Sequence, residues 1–360
     1  MRDWSPDLVR ETRSLWERLG ESGLPIYLYG MGDGADKIRR ALERYGLAPA
    51  GVFASDGFVR GHAYAGFPVE RYSAVRERHG DGFTALLAFG VNYEPMLSVL
   101  TRMETECRLY APDVPVIWDG TLFDRAYLEA HSGEFAQVWA ALGDDCSRRV
   151  LLDVLSYKIS GRISCLRQSE TPLREGWSLL NLAGGEAFVD LGAYTGDTIQ
   201  LFLEHSGGSS RILALEPDPK NFRKLERNLS DWGVPADCRR LGAWSGPGEL
   251  RLKTGRGGRN PLLGEEGVPV PVNAVDNLLA GARADLIKLD VEGAEAQALA
   301  GAAHTIAAWK PRLILSAYHR NEDLFSLPLQ LLKICPGYRL YLRHHPCIPA
   351  WDTCYYCIPE

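Results

Sequence analysis

No surplus of positive charge marks this chain: 40 lysines and arginines stand against 46 aspartates and glutamates, for a formal net charge of −6. A nucleic-acid partner is therefore not expected. No apolar run approaches the ~20 residues that cross a bilayer. The opening Met1-Arg-Asp-Trp-Ser-Pro-Asp7 has no apolar signal region, so a cytoplasmic protein without membrane attachment is expected. Paired cysteines are missing too. The eight present are scattered, as in a reducing compartment. Cys354 and Cys357 alone suggest a metal pair, but they fall in a strand-like run where residues three apart face opposite ways. No second pair at zinc-ribbon spacing accompanies them, so buried strand cysteines are expected and no metal is assigned.

What is present is ordinary globular material, 46% hydrophobic and 24% charged over 360 residues, enough for two domains or three. The most informative stretch is Ala187-Phe-Val-Asp-Leu-Gly-Ala-Tyr-Thr-Gly-Asp-Thr198. Its apolar half reads as a buried strand, its glycines as a turn, and Asp197 to His205 as a helix. A strand, a turn and a helix start form the crevice where doubly wound α/β proteins hold cofactors. The Asp-x-Gly-x-x-x-Gly spacing places a carboxylate at the strand end. That suits a ligand with an ammonium group, such as S-adenosylmethionine, better than a pyrophosphate.

Before this stretch, residues 3–20 read as an amphipathic helix, Ile26–Ala35 as a strand entering a glycine turn, Asp36–Tyr45 as a helix and Gly51–Asp56 as a strand. Gly30, Gly32 and Gly34 with Asp56 allow two readings: a nucleotide or NAD site, or glycines that merely permit a tight turn and close packing. Thr84–Gly90 and Val114–Trp118 read as further buried strands. A small Rossmann-like α/β domain over residues 1–122 is expected, then a helical linker over 123–170 and a larger domain over 171–360.

In that larger domain the expected elements are strands at Arg211–Asp218, Asp237–Trp244, Ala284–Gly293 and Pro311–Tyr318. Helices are expected at Pro219–Leu229, Ala294–Trp309 and Asp323–Ile334. Shorter strands at Glu249–Lys253 and Val268–Val275 flank a Gly/Arg-rich loop, Thr254–Pro261, read as mobile. Tyr338–His344 and Thr353–Ile358 close the chain as two strands joined by a turn. The architecture is an α/β fold with a seven-stranded, mostly parallel, doubly wound sheet and one reversed strand at its end.

Ligands bind outside the carboxyl ends of such strands. Those ends offer Asp190 with Gly192 to Asp197, Glu216 with Asp218, Gly242 to Trp244, Asp290 with Glu292, and His319. Glu216 suits the two hydroxyls of a ribose, or else partners a helix N-terminus. Lys288 and Asp290 interrupt an otherwise apolar strand and share a face. Two readings stand for them: Asp290 orients or deprotonates a substrate hydroxyl with Lys288 holding charge balance, or the pair is a structural salt bridge. His319 reads as a neutral imidazole base or as a packing histidine. His344 and His345 could join it around a metal, though their spacing does not require one.

These motifs, with Leu215-Glu-Pro-Asp218, Leu286-Ile-Lys-Leu-Asp-Val-Glu-Gly-Ala-Glu295, Tyr318-His319 with Glu322-Asp323, and Trp351-Asp-Thr353, resemble the FkbM-type family of class I S-adenosylmethionine-dependent methyltransferases over residues 170–360. Tyr194 departs from the family, where many members have Asn. The first domain resembles the Rossmann-like units fused to some members and predicts no ligand. The resemblance implies O-methylation of a hydroxyl on a sugar or secondary metabolite. It implies a cofactor lying against Asp190, Gly192, Ala193, Tyr194, Gly196, Asp197 and Thr198, then Glu216, Pro217 and Asp218, then Ala243, Trp244 and Asp290. Catalysis would fall to Asp290, His319 and Lys288. The partner expected is a small-molecule or glycan hydroxyl acceptor, with a homodimer left open. The alternatives are a two-domain enzyme binding NAD or a nucleotide-sugar at Gly30–Gly34, and a non-catalytic cofactor-binding or scaffold protein.

Overall fold

The computed structural model describes residues 3–208, 211–253, 262–264 and 267–360. The loop Thr254–Pro261 read as mobile lies outside the described residues. The chain divides into two units. One comprises Met1–Gly133, Arg149–Glu170 and His344–Asp352; the other comprises Glu134–Arg148, Thr171–Arg343 and Thr353–Glu360. The segment 123–170, read as a linker, is thus shared between them. No helix among the described residues is long and apolar enough to cross a membrane.

The first unit holds one sheet of β1 (Ile26–Tyr29), β2 (Gly51–Ala54), β3 (Ala63–Tyr64), β4 (Phe67–Arg71), β5 (Thr84–Leu87) and β6 (Arg108–Tyr110), in the order β3-β4-β2-β1-β5-β6. All its pairings are parallel except β3 with β4. Leu28, Val52 and Leu86 on the strands pack with Ile38 and Leu42 of the helix Asp33–Arg44 in a fully buried core. The expected strand Val114–Trp118 does not form. Pro115 has no N–H to give a ladder, and the carbonyls of Pro115 and Val116 are taken at 2.9 and 2.7 Å by Lys37 Nζ. The outer strand is β6 instead. The expected helix over 3–20 is shortened to Leu15–Ser22, because Ser14 and Glu17 build a reciprocal N-cap there.

The second unit is organised by a seven-stranded sheet. Its strands are β7 (Ala187–Leu191), β8 (Arg211–Leu215), β9 (Asp237–Arg239), β14 (Leu286–Leu289), β15 (Arg312–Ser316), β16 (Tyr338–His344) and β17 (Thr353–Pro359), in the order β16-β17-β15-β14-β7-β8-β9. The five from β15 to β9 are parallel neighbours. The reversed strand, β17, pairs antiparallel with β15 and lies one place in from the edge. Helices return the chain between most of the parallel strands, so β7 and β14 are covered on both faces and buried throughout.

Two expected elements are broken. The strand read over Asp237–Trp244 ends at Arg239, and Gly242–Ala243 (β10) joins a second sheet with β11 (Gly248–Lys253), β12 (Leu262–Gly264) and β13 (Val268–Asn273), ordered β10-β13-β11-β12. The helix read over Ala294–Trp309 is two helices, Glu295–Ala300 and Ala303–Trp309. At the break, a Cβ on Gly301 would overlap the Trp244 carbonyl oxygen, so the small sheet and this helix pair meet at a residue that must be glycine.

Candidate active site

The strand order sets the site. Four neighbouring strands, β15, β14, β7 and β8, end on one edge, and their continuations are Tyr318-His319, Asp290, Gly192 and Glu216. Lys288 and Asp190 are register partners on β14 and β7, and the Asp290 N–H donates to Leu191 O at 3.1 Å. A Cβ on Gly192, which holds φ +81°, would overlap the Asp290 carbonyl oxygen. Gly192 therefore permits both the turn and the close approach of β14.

The turn is held from below. Gly192 and Ala193 both donate to Leu215 O, at 3.0 and 2.9 Å. The Tyr194 N–H donates to Glu216 Oε2 at 2.9 Å, and the Asp218 N–H to Glu216 Oε1 at 2.8 Å. Two acceptor positions on the Glu216 carboxylate remain after these amides. Burial, followed by those hydrogen bonds pulling the other way, leaves its pKa raised to about 7. Asp218 caps the helix Pro219–Asp231 through Lys220 and Asn221 N–H at 2.8 and 2.9 Å, so it shapes the site rather than facing it. Pro217 lies between these two carboxylates and has no N–H.

The helix Asp197–Ser206 begins at Gly196, in the left-handed region at φ +92°, and no side chain caps it. Its first-turn N–H groups, from Asp197 and Thr198 onward, are the donors a ligand carboxylate would use. Tyr194 also lies in the left-handed region, at φ +47°, with its side chain half exposed. Asn tolerates that conformation better than Tyr does, which is a physical reason for the Asn found in many family members. The link to Glu216 comes from the backbone and does not depend on the side chain.

Asp190 is placed differently from a ligand-facing carboxylate. It is fully buried, and its nearest cation is Lys288 Nζ at 3.4 Å. The same Nζ donates to Gly192 O at 2.8 Å and lies 3.9 Å from Asp290. Burial raises Asp190 to about 6 despite the lysine. Lys288 thus takes the place of the ammonium partner that the motif suggested for Asp190. Burial alone would lower the Lys288 pKa, but Asp190 and Asp290 raise it, so it stays charged.

Asp290 is the carboxylate that stays accessible, with 31% of its side chain exposed. Burial pushes its pKa up, Lys288 and then His319 push it down, and the net shift is downward, so it is ionised. The Tyr318 hydroxyl donates to Asp290 Oδ1 at 3.0 Å. Tyr318 and Glu295 stand in the motifs quoted from the sequence, but no role was assigned to either there. The signal for Glu295 was present, since it opens the helix that follows the Asp290 strand.

His319 corrects an expectation. It is completely buried, with Nδ1 3.0 Å from Glu295 Oε1 and Nε2 3.3 Å from Glu292 Oε2 and 3.7 Å from Asp290 Oδ1. Burial would lower its pKa, but Glu295 and Glu292 raise it well above the ordinary histidine value. Of the two readings, neutral base or packing histidine, the enclosure goes against the base, because the converging acids favour the protonated ring. Ala243 and Trp244 are also displaced from their expected place. Ala243 belongs to β10 and Trp244 follows it, outside the main sheet, and Trp244 N donates to Asn273 O at 2.9 Å.

With this geometry in view, the family comparison is decisive for the second unit. Residues 190–340 match the family profile described as the methyltransferase FkbM domain. Over those residues the chain is similar to FkbM methyltransferase domains. Its cofactor is S-adenosylmethionine. Among solved structures, the methyltransferase FkbM from Methylobacillus flagellatus shares the fold, with a TM-score of 0.69 at 22% identity over 98% of this chain and 92% of that one. Fibrillarin from Aeropyrum pernix, solved with bound S-adenosyl-L-methionine, matches at TM-score 0.33 and 14% identity over 51% of this chain and 73% of that one. No curated protein sequence matches the chain.

The glycine turn of the first unit has structural work to do. A Cβ on Gly34 would overlap the Ala88 carbonyl oxygen, and one on Gly30 would meet the Phe89 ring. Asp56 accepts the Ser73 N–H at 3.0 Å in the first turn of the helix Tyr72–His79. The helix Asp33–Arg44 that follows the turn carries Asp33 and Asp36 in its first turn, and Asp33 is paired with Lys37 at 2.8 Å.

Proposed function

We propose that the FkbM domain transfers a methyl group to a hydroxyl oxygen of a small-molecule or glycan acceptor, such as a sugar or secondary metabolite. The observation that carries this is Asp290: an ionised, partly exposed carboxylate on the edge that also bears the Gly192 turn and Glu216. When bound, S-adenosylmethionine supplies a methyl already activated by its sulfonium. The protein's task is then alignment and removal of the hydroxyl proton.

Asp290 accepts the hydrogen bond of the acceptor hydroxyl and turns an oxygen lone pair toward the methyl. Its lowered pKa makes it a weak base, so it serves mainly as an orienting group and passes the proton to solvent. Tyr318 fixes the carboxylate rotamer by donating to it. Lys288 and His319 keep it ionised without facing the acceptor, so they act as positioning residues. Glu216 and the first turn of the helix Asp197–Ser206 bind the cofactor.

The test is to incubate the full chain with methyl-labelled S-adenosylmethionine and a panel of sugars, glycans and phenolic metabolites. Label on a hydroxyl oxygen, lost in Asp290→Asn while S-adenosylhomocysteine still binds by calorimetry, is the expected result. Label found only on nitrogen or carbon acceptors would overturn the reading.

A further inference from the structure

Several carboxylates converge on the His319 ring. Glu295 Oε1 lies 3.0 Å from Nδ1, while Glu292 Oε2 and Asp290 Oδ1 lie 3.3 and 3.7 Å from Nε2. Asp323, buried at the start of the next helix, adds a fourth carboxylate within electrostatic reach of the ring. On the other side stand Lys288, 3.9 Å from Asp290 and shared with Asp190, and the ring itself. Arg320 turns its guanidinium to the Gly293 carbonyl at 3.4 Å rather than to these acids. A buried imidazole with carboxylates facing both ring nitrogens is an arrangement that a bound cation would stabilise.

The geometry suits an ion better than hydrogen bonds. Asp290, Glu295 and His319 each offer one ligand atom, and these atoms lie within 4.8 Å of one another. An ion held about 2.0–2.3 Å from each donor spreads its donors roughly 3–4.5 Å apart. Neither nitrogen of the fully buried His319 ring makes a hydrogen bond of acceptable geometry, although carboxylates face both. The surround is rigid. Glu295 also accepts the Val291 N–H at 2.8 Å, which ties the loop after β14 to the next helix. Glu292 sits at φ +55°, a left-handed conformation that a non-glycine residue adopts only where its surroundings enforce it.

We infer that Asp290, Glu295 and His319 form a site for one divalent cation of the Mn²⁺ type, with Glu292 beside it. One imidazole among carboxylates favours Mn²⁺ over a purely oxygen-seeking ion such as Mg²⁺ and over thiolate-seeking metals. Binding releases the proton from the coordinating ring nitrogen. Because Asp290 is the exposed member, the ion would reach the open edge through it and polarise an acceptor hydroxyl there. That last role rests on the O-methylation reading; the site itself does not.

The experiment uses the full chain stripped with a chelator and titrated with Mn²⁺, with Mg²⁺ and Zn²⁺ for comparison. The expected result is one Mn²⁺ per chain, bound at least tenfold more tightly than Mg²⁺. Pulsed electron paramagnetic resonance should show coupling of the manganese to a single imidazole nitrogen. His319→Asn and Glu295→Gln should each weaken Mn²⁺ at least tenfold, with circular dichroism confirming the fold. If those variants do not fold, the nitrogen coupling of the wild type decides by itself. No Mn²⁺ bound, or bound Mn²⁺ without nitrogen coupling, overturns the site. Methyl transfer to a hydroxyl without Mn²⁺ binding would sink this inference alone; Mn²⁺ binding with label only on nitrogen or carbon would sink the O-methylation reading alone.

Discussion

Lys288 and Asp190 face each other across adjacent parallel strands as register partners, with the ammonium 3.4 Å from a carboxylate that has no exposure to solvent. Removing one member strands a buried charge. Lys288→Met should cost about 3–5 kcal/mol of stability, and it also leaves the Gly192 carbonyl without its donor. Adding Asp190→Asn should recover part of that loss, because no unpaired charge then remains. Urea unfolding of the two single variants and the double variant checks this; strictly additive losses would show that the pair is not coupled.

Glu216 predicts a pH dependence with a definite sign. Its pKa in the folded protein is raised to about 7 by burial, against about 4.3 in an unfolded chain. A raised acid contributes stability that is full below the unfolded pKa and is lost as pH rises through the folded one. The stability of the wild type relative to Glu216→Gln should therefore fall between about pH 4.5 and pH 7 and then level off, by at most about 1.4 kcal/mol per pH unit. Asp190, also raised, is present in both proteins and cancels. Urea midpoints across that range measure the difference, and a flat difference would contradict the burial of this carboxylate.

Tyr194 occupies a left-handed position that favours Asn. Tyr194→Asn should stabilise the protein by about 0.5–1 kcal/mol, since the φ penalty is partly relieved and the Glu216 contact is made by the backbone. Thermal melting reads the change. A fall in melting temperature would mean that the half-exposed ring makes packing contacts that outweigh the strain.

Tyr318→Phe removes the hydroxyl that donates to Asp290. A hydrogen bond to the charged form lowers an acid's pKa, so its loss should raise that of Asp290 and move the acid limb of the kcat profile to higher pH. The rate at the optimum should drop about tenfold, the equivalent of one net hydrogen bond. A lower rate with an unmoved limb would separate Tyr318 from the Asp290 carboxylate.

The central strands show which features could be read from local sequence. Ala187–Leu191 and Leu286–Leu289 are short, largely apolar segments with one charge each, Asp190 and Lys288, and they form strands. Asp323–Ile334 is a helix with the bounds its periodicity implied. Asp237–Trp244 failed because a continuous run of residues does not reveal that the chain changes sheets after Arg239. Val114–Trp118 failed because its carbonyls are claimed by Lys37, distant in sequence.

By itself, then, the sequence determined the doubly wound class, the glycine turn with its uncapped helix, and the carboxylates at the strand ends. Those are consequences of periodicity and of where apolar runs stop, both local properties. The tertiary structure alone decided what each carboxylate meets: Lys288 beside Asp190, backbone amides on Glu216, Tyr318 on Asp290, and a ring of acids around His319. Charge states and accessibility follow from such neighbours, and strand order and register bring them together from positions up to about a hundred residues apart. A motif names the side chain; the pairing of strands decides whether it faces a ligand or another charge.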